Sequence, residues 1–276
     1  MSWWCSTTSE PWTWSWQAYP GVWLFVIVCA AAYLAASRRA DPSDRPSRHQ
    51  RLMFGAGLLA CWVAADWPVG ALGSGYLLSV HQLQYVLFVM IAPPLMLLGT
   101  PSPILTAVVQ RLPMRWLVTL ADKPVVAILI CNAIVVLTHF PAVVDSLMPY
   151  QLGSFALDMA WFLAGFVLWW PVLQRVPTKN ALSYPARFIY LLGATLLPGI
   201  PAAFFFFARF PIYRTYELAP PLGLPTVDDQ FVGGIVMKLG SFVIVLIALS
   251  ILFYKWHAAD RSPQQKLVLP EGTARW

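Results

Sequence analysis

Polar and metal-capable side chains are rare within the apolar runs of this chain, and most of them fall toward one end of those runs. His81, Gln84 and Tyr85 stand at i, i+3 and i+4, so they share one face of a helix. A polar side chain in hydrocarbon is costly, and it therefore marks a functional site by default. Further members of this set are Asp66, His139, Asp158, Met159, Asp228, Asp229, Gln230, Met237 and Lys238.

Two kinds of chemistry fit this set about equally well. Histidine imidazoles and methionine thioethers suit copper, with methionine favouring Cu(I), and Asp or Gln side chains orient an imidazole by hydrogen bonding. Lys238 favours the other interpretation, because an ammonium repels a metal ion and needs a carboxylate partner. An ion pair of Lys238 with Asp158 or Asp66 would pin two helices together, while the histidines only form hydrogen bonds. A proton pathway is a third interpretation, disfavoured because no acidic residue lies deep in the other half of the spans.

The composition predicts a membrane protein. Of the 276 residues, 59% are hydrophobic and 11% are charged, whereas soluble domains carry about 25% charged residues. The net charge of +6 arises from Lys and Arg in short loops between apolar runs, which is typical of membrane topology and not of nucleic-acid binding. No soluble-enzyme motif is present, so we expect no enzyme. The four cysteines stand singly, which favours buried thiols over disulfides and leaves a soft-metal relay open.

Seven apolar stretches are long enough to cross a bilayer, which takes about 20 residues. Their predicted bounds are Tyr19–Ala36, Leu52–Leu72, Tyr76–Leu98, Val125–Val144, Leu152–Leu173, Arg187–Phe207 and Phe231–Trp256. Nearly all loop Lys and Arg residues fall on one side, so the positive-inside rule places the N-terminus outside and the C-terminus inside. The predicted fold is an all-α membrane protein, a seven-transmembrane-helix bundle. It has a Trp-rich outer segment at 1–18, a transmembrane domain at 19–257 and a cytoplasmic tail at 258–276.

Three further patterns have two interpretations each. Pro93-Pro94 and Pro198-Gly199-Ile200-Pro201 interrupt two spans, either as packing kinks or as breaks beside a wet cavity. The N-terminal tryptophans predict an interfacial collar, or a sugar-binding platform; they are Trp3, Trp4, Trp12, Trp14 and Trp16. Arg209 and Arg214, with Tyr213 and Tyr216, predict headgroup anchoring or docking of an acidic partner.

Five motifs follow one another along the chain. They are Tyr76-Leu77-Leu78-Ser79-Val80-His81-Gln82-Leu83-Gln84-Tyr85 with Ile91-Ala92-Pro93-Pro94-Leu95; Thr138-His139-Phe140-Pro141 with Asp145; Leu157-Asp158-Met159 with Leu168-Trp169-Trp170-Pro171; Pro211-Ile212-Tyr213 with Tyr216; and Asp229-Gln230-Phe231-Val232-Gly233-Gly234-Ile235-Val236-Met237. As an ordered set, from about the second span onward, they resemble the bacterial CtaG-like cytochrome c oxidase assembly factors.

The resemblance implies a multi-span plasma-membrane protein that helps a haem–copper oxidase to mature, by supporting copper insertion at the outer face. The residues matching the family pattern are His81, Gln84, His139, Asp145, Asp229, Gln230 and Met237. The chain departs from that pattern at three places. The family usually has His where Tyr85 stands, Glu-His where Asp158-Met159 stand, and Trp where Lys238 stands.

The leading hypothesis is therefore an oxidase-assembly factor that handles copper at the outer face of the bacterial inner membrane. The expected Cu(I) ligands are His81, His139, Met159 and Met237, and the residues expected to orient them are Gln84, Tyr85, Asp145, Asp158, Asp229 and Gln230. The expected partners are haem–copper oxidase subunits, a periplasmic copper chaperone and the lipid bilayer. The alternative is a metal-free accessory subunit of the oxidase, in which Lys238 replaces the charge of a lost metal. A small copper transporter is the third hypothesis.

Overall fold

The computed structural model describes residues 2–111 and 115–268, and this part of the chain is folded into helices without a β-sheet. The helices are α1 (Pro20–Arg39), α2 (Arg48–Ala65), α3 (Val69–Gly75), α4 (Leu78–Tyr85), α5 (Ala92–Gly99), α6 (Ser102–Arg111), α7 (Arg115–Ala121), α8 (Pro124–Thr138), α9 (Pro141–Leu147), α10 (Gln151–Leu173), α11 (Tyr184–Ala194), α12 (Gly199–Phe207), α13 (Arg214–Glu217), α14 (Thr226–Ile235) and α15 (Ser241–Val268). Two π-helical segments, Val86–Ile91 and Val236–Gly240, join α4 to α5 and α14 to α15.

Within the described residues, five helical units are long and apolar enough to cross a membrane. They are Pro20–Arg39, Leu78–Gly99, Gln151–Leu173, Tyr184–Phe207 and Thr226–Asp260. Two bent pairs pass the same test as pairs: α2 with α3, bent by 43°, and α8 with α9, bent by 66°. Each predicted span coincides with one of these units, so the prediction of an all-helical, multi-span protein is confirmed, with five to seven candidate spans.

Local sequence explains where the two bent pairs begin and break. Ser47 and Gln50 cap the start of α2 reciprocally, each side chain bonding to the backbone N–H of the other. Pro68 and Pro141 follow the breaks after α2 and α8, and a proline cannot donate the N–H that would continue the preceding helix. Each pair therefore changes direction at its proline, and the second break leaves His139 at the corner.

The break at Pro93-Pro94 is covered by protein. The π-helical segment Val86–Ile91 precedes the two prolines. Its wider turn accommodates the loss of the backbone hydrogen bonds that the prolines cannot donate. Helix α10 packs against this stretch so closely that a Cβ at Gly165 would lie 2.5 Å from Pro93 Cγ and 2.7 Å from the Val89 carbonyl oxygen. Irregular backbone within a membrane requires such cover, because no water is there to satisfy the freed groups.

The N-terminal segment is inserted between the helices. We call residues 3–7 the plug. Trp4 is fully buried, whereas Trp14 and Trp16 are 71% and 61% exposed. The plug backbone bonds across the bundle, with Trp3 N–H donating to Gln151 Oε1 at 2.8 Å and Thr7 N–H donating to the Met148 carbonyl at 3.1 Å. The predicted collar is thus wrong for Trp4, because this indole finds a buried acceptor.

Two segments outside the predicted spans are also helical. The connection between the third and fourth predicted spans contains α6 and α7, and α6 contacts α1. At the C-terminal end, α15 continues through Val268 into the predicted tail at 258–276, whose residues 269–276 lie outside the described residues.

Candidate functional site

Two buried histidines lie against one tryptophan inside the bundle. His81, on α4, is 3% exposed and His139, after α8, is 5% exposed. Their ring centroids lie 4.8 Å and 5.3 Å from that of Trp161 on α10. The Trp161 indole N–H donates to Thr138 Oγ1 at 2.8 Å, which fixes the ring in place. The structure therefore brings together the two histidines that the sequence predicts as ligands, and we call them with Trp161 the histidine pair site.

Hydrogen bonds assign the tautomer of His81. The Gln84 amide nitrogen donates to the Ala64 carbonyl at 2.8 Å, which directs the Gln84 Oε1 toward His81 Nδ1 at 3.3 Å. A carbonyl oxygen only accepts, so Nδ1 carries the proton and Nε2 carries the lone pair. Among the described residues, His81 Nε2 has no hydrogen-bond partner, although it is buried. A buried polar atom without a partner is rare, so His81 Nε2 is available to accept or to bind a ligand.

His139 is held by two groups. Its Nδ1 lies 2.7 Å from the Val135 carbonyl, which can only accept, so Nδ1 donates and Nε2 carries the lone pair. Nε2 faces the Gln82 amide at 3.1 Å. The Gln82 Nε2 has no partner in the described part of the chain, and an exchange of the amide oxygen and nitrogen lets this N–H donate to His139. His139 is therefore a satisfied ring, and a metal ion on its Nε2 would have to displace the Gln82 amide.

Tyr85 forms an aromatic wall of the site. Its ring lies edge-on to His139 at 5.3 Å and to Trp161 at 5.6 Å. Tyr85 thus places a phenol ring at the position where the resemblance predicts an imidazole. Among residues 2–111 and 115–268, no set of three or more His, Cys, Asp or Glu side chains is arranged to hold a metal ion.

The two predicted thioether ligands stand on α10 and on the π-helical segment Val236–Gly240. Met159 follows Asp158 on α10, so it points about 100° away from it around the helix, and it is partly buried against the core. Met237 is buried and lines a separate cavity of about 40 Å³ with Tyr85 and Cys131. The two imidazoles of the predicted ligand set both contact Trp161, and Met237 lines a cavity that Tyr85 also lines.

Three residues expected to orient the ligands bond to the backbone at or just before the starts of helices. Asp145 accepts from the backbone N–H groups of Arg214 and Thr215, at the start of α13. Asp229 accepts from Leu78 N–H at 2.6 Å and from Ser79, at the start of α4. Gln230 accepts from Ile212 N–H at 2.8 Å and donates to the Phe210 carbonyl. These side chains fix where α4 and α13 begin. They therefore help to position His81, which stands on α4, and Tyr213, which bonds to the His139 carbonyl.

Each group predicted to form an ion pair has another partner in the structure. Asp158 Oδ2 accepts from the Trp4 indole at 2.8 Å, and Asp66 Oδ2 accepts from Trp23 and Trp62 at 2.9 Å and 2.6 Å. The Lys238 ammonium lies 3.5 Å from the Thr195 carbonyl oxygen. That oxygen is available because the helix breaks there.

Sequence reasoning missed several groups of the site. Trp161 and Gln82 carry no distinguishing spacing, and only their contacts with the two histidines reveal them. Tyr213 and Tyr216 were predicted to anchor lipid headgroups or to help dock an acidic partner, but both are buried. Burial raises the pKa of each phenol well above its ordinary value. Their protonated hydroxyls donate to the carbonyls of His139 and Gly73 at 2.8 Å and 2.6 Å. They tie the start of α13 to the bend at His139 and to α3.

The comparison with protein families decides what kind of protein carries this site. The profile of the cytochrome c oxidase caa3 assembly factors (Caa3_CtaG) matches residues 31–259. The chain belongs to this family. The predicted resemblance is thereby confirmed, and the match contains both histidines but begins after the plug.

The curated relatives of this Caa3_CtaG chain are mycobacterial. Uncharacterized proteins of Mycobacterium bovis and Mycobacterium tuberculosis are each 25% identical over 239 residues, which cover 71% of this chain and 35% of each relative. One of Mycobacterium leprae is 24% identical over 210 residues, covering 66% and 30%. The chain thus spans about a third of the length of these relatives. No solved structure matches it.

Proposed function

We propose that this Caa3_CtaG chain supports assembly of a haem–copper oxidase by holding and delivering Cu(I) at the outer face of the bacterial inner membrane. The observation that carries the proposal is the buried His81 Nε2, which has a lone pair and no hydrogen-bond partner among the described residues. Ligating histidines typically donate their other ring N–H to a fixed acceptor. His81 and His139 both do so, to Gln84 and to Val135.

The proposal places the histidine pair at the centre of copper binding. Cu(I) is a soft ion bound by imidazole and by thioether sulfur. The two imidazoles supply the first ligands, with Tyr85 and Trp161 excluding water around them. Met159 and Met237 are proposed as further ligands, reached by rotation of flexible thioether side chains. The chain binds and transfers the ion, and we assign it no catalytic residue.

The same proposal includes the placement in the membrane. Seven spans, with the two bent pairs counted as one span each, put the N-terminus outside and the C-terminus inside. The supporting observation is that the basic side chains of α1, Arg38 and Arg39, stand at the end opposite the Trp-rich segment. The proposed organisation is then an outer segment at 1–18, the transmembrane domain at 19–257 and a cytoplasmic tail at 258–276. The proposed partners are oxidase subunits and a periplasmic copper chaperone.

The test is copper stoichiometry, by elemental analysis of protein purified in mild detergent after anaerobic loading with Cu(I). We expect one copper per wild-type chain and its loss in His81→Ala. The matched control is His257→Ala, because His257 is an exposed histidine on the same chain. Wild-type protein without copper, or equal copper in His81→Ala, would contradict the site. In cells, His81→Ala should leave the oxidase copper-deficient.

A metal-free accessory subunit is the second candidate, and one observation favours it. Both nitrogens of His139 have hydrogen-bond partners, so this ring needs no metal to be stable in the bundle. On that hypothesis neither wild type nor His81→Ala binds copper, while the oxidase complex still co-purifies with the chain. A copper transporter, the third candidate, would instead carry radiolabelled copper into proteoliposomes.

A further inference from the structure

An apolar groove with a basic rim lies far from the histidine pair site. It is a cavity of about 230 Å³ between α5, the end of α10 and α15. Its walls include Leu98, Ile244, Ile247 and Ile251. We call it the inner groove, because it opens where α5 and α10 end, at Gly99 and Leu173, and at the end opposite His139.

Three cations form the rim of the inner groove: Arg175, Arg187 and Lys255. Gln174 ends α10 in the left-handed conformation, with φ of 48°, and this reverses the chain so that Arg175 lies over the end of α5. There the Arg175 Nη2 donates to the Thr100 carbonyl at 3.1 Å. The rest of this guanidinium, with its several further N–H donors, is left free for another acceptor.

The Arg175 Nε is the unexplained atom of the groove. It is buried, and within the part of the chain that the structure describes it has no hydrogen-bond partner. No acidic side chain is among the described residues that line the groove. A buried guanidinium N–H without an acceptor is costly, so the groove is built for an anion that supplies one.

The other two cations of the rim are Arg187 and Lys255. The Arg187 Nε donates to the Leu182 carbonyl at 3.1 Å and its Nη2 donates to the Gln174 side chain, which fixes the guanidinium at the rim. Lys255 is exposed, one turn beyond the groove-lining Ile251. The rim therefore concentrates positive charge above an apolar wall.

The level of the rim matches a membrane surface. Tyr254 and Trp256, on either side of Lys255, are 75% and 40% exposed. Exposed Tyr and Trp at the end of an apolar helix mark the headgroup level of a bilayer. The groove below them lies at the depth of the acyl chains. A ligand that fits both parts has an anionic headgroup and a hydrocarbon tail.

We propose that the inner groove binds an anionic phospholipid, with its phosphate on Arg175, Arg187 and Lys255 and one acyl chain along α15. Arginine suits phosphate because its planar fork donates two parallel hydrogen bonds. Basic pockets between membrane helices at the inner face bind such headgroups in general. The site is independent of copper and of the histidine pair, so it stands or falls apart from the proposed function.

The test is lipid retention, measured by native mass spectrometry on full-length protein released from nanodiscs of mixed phosphatidylglycerol and phosphatidylcholine. We expect wild type to retain phosphatidylglycerol preferentially. Arg175→Gln and Lys255→Gln should each lower this retention by about fivefold. Ala248→Trp should lower it without removing a cation, because Ala248 lines the groove and a tryptophan there fills the path of the acyl chain.

Two matched controls make the outcome specific. Lys179→Gln removes an exposed cation that does not line the groove, and Leu246→Trp adds the same ring at an exposed position of α15. Both should retain lipid like wild type. Lys255 is exposed, so its variant should fold normally. Equal retention of the two lipids, or normal retention by Lys255→Gln and Ala248→Trp, would overturn the proposal. Inorganic phosphate that displaces the lipid fully at millimolar concentration would show a phosphate site and overturn the role of the acyl chain.

Discussion

At the scale of single residues, the chemistry of the histidine pair site depends on groups that do not contact the proposed ion. The Ala64 carbonyl orients the Gln84 amide, and the Gln84 amide in turn fixes which nitrogen of His81 carries the proton. Such outer hydrogen bonds decide whether an imidazole presents a lone pair in the right direction. A histidine in a membrane span therefore indicates a metal ligand only when a fixed acceptor binds the N–H of its other ring nitrogen.

Gln84→Leu tests this dependence. Leucine keeps much of the volume but removes the acceptor of His81 Nδ1, so the ring loses its fixed tautomer. We expect Cu(I) affinity to fall by about 10- to 100-fold, measured by competition with a Cu(I) chelator. Leu83→Ala, at the exposed neighbouring position, is the control and should keep wild-type affinity. An unchanged affinity in Gln84→Leu would show that the tautomer of His81 is set by some other group.

At the scale of elements, the plug acts as an additional packing element between the helices. Trp4 packs edge-on against Phe155 at 4.9 Å and donates to Asp158, while Cys5 Sγ donates to the Ala65 carbonyl at 3.2 Å. Segments without regular structure are usually the mobile part of a protein. Here burial of a large indole and bonds to α2 and α10 hold such a segment in place.

Trp4→Ala should destabilise the fold far more than Trp14→Ala. Deleting a buried tryptophan side chain costs about 3–5 kcal/mol, and the change also leaves Asp158 without its indole donor. Trp14 is 71% exposed, and exposed substitutions of this kind change stability by about 0.5 kcal/mol or less. Unfolding in detergent, followed by circular dichroism against denaturant, measures both variants. Similar stability of the two would mean that the plug is not part of the folded core.

The thiol of Cys5 reports on the plug directly. Burial raises the pKa of this thiol well above its usual range, and the charge of Asp158 adds to the shift. The thiolate is the reactive form, so a raised pKa keeps Cys5 protonated and unreactive at mildly alkaline pH. In Trp4→Ala the segment should be released, the pKa should fall toward its ordinary value, and alkylation by a maleimide should become faster. Mass spectrometry of the labelled peptide measures this rate. Rapid labelling of Cys5 in wild type would contradict a closed plug.

At the scale of the whole molecule, the orientation in the membrane is the feature to test. In the proposed topology Ser15 lies outside and Asn180 lies inside, and both are exposed. A membrane-impermeant thiol reagent should therefore label Ser15→Cys in intact cells and Asn180→Cys only after permeabilisation. The parent chain is the control for background labelling, because Cys5, Cys61 and Cys131 are buried and the half-buried Cys29 lies in the middle of α1. The reverse labelling pattern would invert the topology and place the histidine pair at the inner face.

The sequence predicts the elements of this molecule better than it predicts their contacts. Each apolar run is a local signal, and each became a candidate span or a bent pair. Partnerships such as Trp4 with Asp158 or Gln82 with His139 join residues that are far apart in the chain. They are fixed only when the helices pack, so periodicity and spacing carry no trace of them. Lys238 shows the same limit, since its acceptor is a carbonyl that becomes free only where the helix breaks at Thr195.

The plug also sets an order of events during biosynthesis. Its partners Met148, Gln151 and Asp158 leave the ribosome about 150 residues after it does. The plug therefore stays undocked until α10 has been inserted. Because the entropy cost of loop closure grows slowly with length, closing so long a loop costs only modestly more than closing a short one. During that interval Asp158 lacks the indole donor that Trp4 provides. The nascent chain thus passes through a stage in which its interior is accessible before the plug docks between the helices.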